Sequence, residues 1–407
     1  MEVLCLASSH TTEIIQTVCK NVGIQLHSCS TTKEACQHII EGTKRWIAVV
    51  TALGHNQDTN CRTLLEAVKQ HATQSYVIIY SYTAQCGSDP TIRIECFKAG
   101  AKMVTCFPSA LKLVLKQILV EKTTIGGTLT CPYCKIENLT ENTLHRHLEL
   151  YHTYDANEAL PCPLCRICIP SNRGGVTVHY HNNHGPRERR EAQNGPPGSL
   201  TAFALVVCQR LSDGKFLMVQ EPLGIGGGYW LPAGRVDPGE RLIAGGKREA
   251  LEEAGIHIKI TRVLKFDLSN ALRIIYLANP VAGTDDTPKT VPDFESAGAM
   301  WISAEDVHAN LPQAYCRSGR ATEPLKWFPR VANGERGMSI DNSEYNEFEN
   351  VVLELGQKHC TMTDVKDKLL PAWRNLHHAF SIDTKKEDMS NKPNQNAEQL
   401  YKSLILD

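Results

Sequence analysis

Along the first 120 residues, short apolar runs alternate with stretches whose apolar residues recur every three to four positions. Residues 3–8, 25–29, 46–51, 76–81 and 102–107 are rich in β-branched and aromatic side chains and read as strands. Residues 12–21 and 61–71 are among the helical stretches between them. Five βα repeats predict a doubly wound parallel sheet over residues 1–122. A second α/β pattern fills residues 200–310. Apolar runs at 202–209 and 215–220 flank Asp213-Gly214, a hairpin signal, and a glycine-rich loop spans 224–228. A helical pattern at 242–254 is interrupted by Gly245-Gly246 and closed by Gly255, and further strands are expected at 256–266, 272–277 and 299–302. Helical signals at 347–355 and 363–369 suggest an appendage over 311–380. Residues 381–407 are polar and expected to be mostly disordered before a short end helix.

Composition changes the picture in three ways. A chain of 407 residues accommodates two or three domains. Its net charge of −1 recruits neither nucleic acid nor acidic membranes by bulk electrostatics. No apolar run reaches 18 residues and Met1 to Cys5 opens a strand without basic residues, so neither a membrane span nor a signal peptide is expected.

The sixteen cysteines are patterned. Cys131 and Cys134, twelve residues, His147, four residues and His152 have the spacing of a two-cysteine, two-histidine zinc finger. Cys162, Cys165, His179 and His184 repeat it with a thirteen-residue gap, leaving Cys168 and His181 as rival ligands and His145 as a bystander. Leu129 and Leu144 in the first unit, and Leu160 and Val176 in the second, take the small-core positions. Two structural Zn²⁺ ions follow over residues 127–184, and zinc-bound thiolates suit the cytoplasm, with the nucleus as second choice. Between residues 131 and 192, seven Lys/Arg face seven Asp/Glu, and the short Gly-Glu-Lys-Pro spacer of DNA readers is missing. DNA binding is therefore not favoured. A protein partner comes first, RNA second and plain structure third. A linker over 185–199 carries Pro-Arg-Glu-Arg-Arg and Asn-Gly-Pro-Pro-Gly.

The densest chemistry lies between Gly234 and Ile256. Glu249, Glu252 and Glu253 stand three and four apart on one helical face, where like charges repel by a few tenths of a kcal/mol per pair. A purely structural helix gains nothing from that, whereas hard oxygen ligands suit Mg²⁺ or Mn²⁺. Arg248 is the internal counter-charge and Glu240 its expected partner.

This string, Gly-Arg-Val-Asp-Pro-Gly-Glu and then Arg-Glu-Ala-Leu-Glu-Glu-Ala-Gly-Ile, resembles the Nudix box, with Ala250 where the pattern prefers a bulkier aliphatic residue. The resemblance implies an α/β/α sandwich and a Mg²⁺-dependent hydrolase that splits a nucleoside diphosphate derivative by water attack on phosphorus. It implies the Gly234 carbonyl, Glu249, Glu252 and Glu253 as metal ligands, with Glu253 the firmest. The general base is Glu249 in some members and a loop glutamate in others, for which Glu295 is in place. Trp-Leu-Pro-Ala-Gly-Arg at 230–235, and Phe-Glu-Ser at 294–296 before Trp301, look like the animal Nudix enzymes that hydrolyse oxidised guanine nucleoside diphosphates. Nucleotide sugars, dinucleoside polyphosphates or RNA caps stay open as substrates, as does a non-catalytic Nudix and zinc-finger scaffold.

The amino-terminal repeats end in Phe97-Lys98-Ala99-Gly100-Ala101 and Pro108, which resembles a response-regulator receiver. The expected acidic pair is Ser8-Ser9, the acceptor aspartate is replaced near Thr51-Ala52, and no lysine precedes Pro108, so the receiver is degenerate and suited to interaction. The whole is expected to be a multidomain α/β chain: parallel sheet, finger pair and Nudix sandwich. Modules so separated predict that a fragment from Ser199 onward hydrolyses its substrate alone.

Overall fold

The computed structural model describes residues 1–53, 61–72, 74–81, 89–123, 126–152, 159–170, 175–185, 196–221, 228–268, 272–311, 323–384 and 401. The expected glycine loop at 224–227, linker residues 186–195 and tail residues 385–400 and 402–407 lie outside these. Among the described residues, no helix is long and apolar enough to cross a membrane.

The amino-terminal repeats are β1 (Glu2–Leu6), α1 (Ser9–Val22), β2 (Gln25–Cys29), α2 (Thr32–Glu41), β3 (Trp46–Thr51), α3 (Cys61–His71), β4 (Tyr76–Tyr80), α4 (Pro90–Lys98), β5 (Met103–Thr105) and α5 (Pro108–Thr123). The strands form one parallel sheet in the order β2-β1-β3-β4-β5. Helices cover both faces, so β3 and β4 are buried along their whole length and read as continuous apolar runs. The first and last strands are shorter than their apolar patterns. Ser8 caps α1 by accepting from the Thr11 amide at 3.5 Å, and the Thr105 hydroxyl accepts from the Phe107 amide at 3.1 Å. In both places a side-chain oxygen ends the strand pattern and turns the chain toward its helix.

The fingers comprise α6 (Glu141–Tyr151), the short pair β6 (Leu160–Pro161) and β7 (Cys168–Ile169), and α7 (Gly175–His184). They are not beads on a string. Leu139, Leu144 and Leu148 of the first share one buried cluster with Ile169, Val176 and Tyr180 of the second.

The third part contains β8 (Ala202–Cys208), β9 (Phe216–Glu221), β10 (Gly228–Trp230), β11 (Ala233–Arg235), α8 (Leu242–Ala254), β12 (Ile258–Leu268), β13 (Leu272–Pro280), β14 (Gly298–Ile302), α9 (Ala304–Asn310), α10 (Glu323–Ala332), β15 (Met338–Ser339), α11 (Ser343–Gly356) and α12 (Leu370–Thr384). Two sheets result, β11-β8-β13-β12-β15 and β10-β9-β14. The hairpin expected around Asp213-Gly214 is corrected here. The turn forms, with Gly214 at φ +74°, but β8 and β9 share only the bridge Gln209–Phe216 and then enter different sheets. The turn dipeptide reports the reversal and carries no information about which sheet each flank joins.

Helix α8 spans the predicted residues, and its two glycines have a packing reason. A Cβ on Gly245 would lie 3.0 Å from Val236, and one on Gly246 would lie 3.0 Å from Ile260, so their absence lets the helix approach the sheet. Its N-cap, Arg241, makes no side-chain cap. The cap comes from far away in the chain: Glu349 of α11, 1% exposed, accepts from the Ile243 amide at 3.1 Å and from Arg241. Tyr345, Phe348, Trp373 and Phe380 of α11 and α12 share one hydrophobic cluster with Val206, Ile260 and Tyr276 of the sheet.

The amino-terminal sheet docks onto this third part through α4. Arg93, 1% exposed, donates to Gln220 at 3.2 Å, to the Val104 carbonyl at 3.1 Å and to the Ala297 carbonyl at 3.3 Å. Tyr229 donates to the Pro90 carbonyl at 2.9 Å, and Thr105 and Thr290 share a hydrogen bond of 2.8 Å. Ile94 joins the cluster of Tyr229, Trp230 and Met300. A buried guanidinium is costly unless its donors are satisfied, and two of these acceptors belong to the other domain. The parts expected as separate modules thus pack against one another: apolar spacing shows where domains lie along the chain but not how they pack.

Candidate active site and metal-ligand clusters

Helix α8 presents the acidic group toward β11 and the loop before β14. Arg248 anchors it, reaching Glu240 at 3.0 Å, Glu249 at 2.7 Å, Glu252 at 3.0 Å and the Arg235 carbonyl at 2.8 Å. Glu240 in turn accepts from the Asp237 amide at 3.0 Å, closing the turn before the helix. Gly234 has no room for a side chain, since a Cβ there would lie 2.3 Å from the Glu249 carboxylate. That glycine brings the β11 backbone against the carboxylate.

Glu249 and Glu253 are buried and Glu252 is half-buried. Burial pushes Glu249 up to about 7, Arg248 opposes this, and Glu252 and Glu295 add to it. Burial also holds Glu253 well above the ordinary carboxylate range, reinforced by Glu249, Glu221 and Glu295 and opposed by the Ala233 amide, which donates to it at 2.9 Å. Such a group favours either protons or a cation. The donors are all oxygen, so the site fits a hard divalent ion such as Mg²⁺ or Mn²⁺.

Glu295 sits on a loop fixed to α8. Ser296 donates to the Glu253 carbonyl at 2.6 Å, while Lys289 reaches both the Glu252 carbonyl at 2.5 Å and Asp293 at 2.8 Å. Asp293 accepts from the Glu295 amide at 3.0 Å. Sequence reasoning missed Glu221, the last residue of β9. Its signal was an acid closing a strand whose every position is buried.

The finger ligands converge in two groups, Cys131, Cys134, His147 and His152, and Cys162, Cys165, His179 and His184, each with ligand atoms within 4.8 Å of one another. The rivals in the second unit have other places. Cys168 is exposed, and His181 lies 3.1 Å from His145 and stacks on Phe294 with ring centroids 4.2 Å apart. His145 also meets Phe294, at 4.9 Å. Phe294 precedes Glu295, so the fingers grip the loop that carries it.

Two expectations arise here. Without divalent cation, folded Glu249 keeps a proton that the unfolded chain loses above about pH 4.5. The unfolded state then binds fewer protons, so stability falls as pH rises from about 4.5 to about 7, and Glu253 extends the fall upward. Melting temperatures measured across that range without magnesium should decline less steeply in Glu249→Gln; an unchanged slope would remove Glu249 from this account. The second concerns the first finger. Glu121 of α5, 4% exposed, accepts from His147 Nδ1 at 2.9 Å and so fixes the ring that offers Nε2 to metal. Carboxylate partners of ligand histidines tune metal affinity about 10–100-fold. Glu121→Gln should lose zinc to a competing chelator more readily by about that factor, and equal retention would show the contact to be packing alone.

Comparison with known proteins agrees with this division. Residues 200–322 match the family model described as the NUDIX domain, and residues 127–185 match one described as Drought induced 19 protein (Di19), zinc-binding. This chain thus carries a Nudix domain preceded by a region that resembles a zinc-binding family. The human protein 8-oxo-dGDP phosphatase NUDT18 is 38% identical over 77 residues, 18% of this chain and 24% of that protein. A solved NUDIX hydrolase from Nitrosomonas europaea aligns at 25% identity and TM-score 0.27, covering 36% of this chain and 95% of its own. A signal receiver domain from Pseudomonas fluorescens Pf-5 aligns at 19% identity and TM-score 0.25, covering 29% of this chain and 93% of its own. The chain spans between 24% and 32% of the length of the curated relatives it matches.

Proposed function

We propose that this protein is a divalent-metal-dependent Nudix hydrolase acting on a nucleoside diphosphate derivative, with oxidised guanine nucleotides as the first candidates. The observation that carries it is the buried carboxylate group Glu249, Glu253 and Glu221 beside the Arg248 anchor, a costly arrangement without a cation to share. The human relative, an 8-oxo-dGDP phosphatase, orients the choice of substrate.

Glu249, Glu252, Glu253 and the Gly234 carbonyl would hold Mg²⁺ or Mn²⁺, which when bound neutralises phosphate oxygens and acidifies nearby water. Arg248 keeps Glu249 and Glu252 aimed from α8. Glu295 accepts the proton of the attacking water, and the latch through Ser296 and Asp293 keeps its loop close to the helix. Water attacks phosphorus, the anhydride bond breaks, and a nucleoside diphosphate yields monophosphate and inorganic phosphate. This chemistry rests on clamping and positioning, with no covalent enzyme intermediate.

The test is phosphate and nucleotide release by the full-length protein with Mg²⁺, across oxidised guanine diphosphates, nucleotide sugars, dinucleoside polyphosphates and capped RNA. Turnover of the first class, abolished in Glu253→Gln, supports the proposal. Turnover of another class moves the substrate, and no turnover of any favours a binding scaffold.

A further inference from the structure

The amino-terminal sheet carries a third group of metal-ligand side chains that neither the fingers nor the hydrolase site uses. It lies on β2, an edge strand of the parallel sheet. His27 and Cys29 stand two residues apart there and so project from one face. The chain then turns sharply: Thr31 caps α2 by accepting from the Glu34 amide at 3.2 Å, and Glu34 accepts from the Ser30 amide at 2.8 Å. Helix α2 runs back along the strand and delivers His38. The Nε2 atoms of His27 and His38 come within 3.1 Å, and with the Cys29 thiol all three ligand atoms lie within 4.8 Å of one another.

The first finger provides an internal standard. There, too, the Nε2 atoms of two ligand histidines, His147 and His152, are 3.1 Å apart. Two imidazoles on a tetrahedral ion at about 2.0–2.1 Å hold their nitrogens roughly 3.3 Å apart. The His27 and His38 rings meet at 82°, edge to face, so the nitrogens converge while the rings do not stack. Trp46 of β3 walls the group, with its ring 5.5 Å from His27 and 6.3 Å from His38. Cys29 is buried at the base and both histidines are half-buried, leaving a route for an ion from solvent. Two neutral imidazoles sharing a proton would explain the short contact alone, with Cys29 then serving only in the apolar cluster of Leu6, Ala35 and Trp46.

We propose that His27, Cys29 and His38 bind one Zn²⁺ ion, with a fourth position open to solvent. One thiolate and two imidazoles, with no carboxylate in the set, select zinc over the hard ions suited to the Glu249 group.

The test is a Zn²⁺ titration of the full-length protein against a chromophoric chelator, with excess Mg²⁺ present. Three equivalents are expected for the native chain and two for His38→Ala and for His27→Ala. Should either variant misfold, Cys29→Ser gives a second readout. With zinc in the fingers, added Co²⁺ should produce a thiolate-to-cobalt charge-transfer band in the native protein that this variant lacks. Two equivalents in the native chain, or three that persist in every variant, would overturn the proposal.

Discussion

Glu253→Gln is expected to lower turnover of the best substrate by at least about a hundredfold, or ~3 kcal/mol of barrier, without unfolding the domain. The side chain is buried, and its carboxylate accepts from the Ala233 amide at 2.9 Å. Glutamine keeps that acceptor and the shape, so packing survives. What it removes is a carboxyl whose ionisation is opposed by burial and by Glu249, Glu221 and Glu295, and which a bound cation would hold ionised. In the absence of magnesium the variant should therefore melt no lower than the native protein, because a buried group that must keep a proton the unfolded chain releases has gone. The two readouts separate the possible roles. Lost turnover with unchanged melting places Glu253 in the catalytic machinery, whereas lost melting temperature identifies a structural residue. Turnover near the native rate would sink the metal assignment altogether.

What was legible in the sequence was local. Helix α8 could be bounded because Pro238-Gly239 precedes it and Gly255 leaves it at φ +73°. The finger ligands were legible because a CxxC knuckle and two histidines on one helix must be close in any fold that uses them. The parallel sheet followed from continuous apolar runs, which only burial on both faces produces. The rest depends on contacts across long stretches of chain. The cap of α8 comes from Glu349, and the partners of Arg93 lie 127 and 204 residues away. No periodicity encodes such pairings. His145 read as a bystander and His181 as a rival ligand, and their shared contact became visible only once Phe294 was placed against both rings. Glu221 was hidden for another reason: in a strand buried on both sides, an acid reads as an end marker until its neighbours are known.

These long-range contacts reverse the expectation for a fragment that begins at Ser199. Such a fragment keeps every residue of the α8 carboxylate group, yet its turnover should fall at least tenfold below that of the full chain. Two losses converge on one loop. Without the fingers, Phe294 no longer packs against His145 and His181, and the neighbouring Glu295 is released on that side. Without α4, the Ala297 carbonyl and Gln220 lose the buried Arg93, and the apolar surface that met Ile94 is exposed to water. The Ser296 bond to the Glu253 carbonyl remains, so the loop is loosened and not lost. A misplacement of about 1 Å at a reacting group costs on the order of a hundredfold in rate, which makes tenfold a modest expectation. Phe294→Ala in the full chain isolates the first loss, and it should lower kcat more than it raises KM, because it moves a proton acceptor and leaves the metal ligands in place. If the fragment is folded and as fast as the full chain, the fingers and the amino-terminal sheet lie outside the catalytic unit. If it is slow while Phe294→Ala is fast, the support comes from the Arg93 side instead.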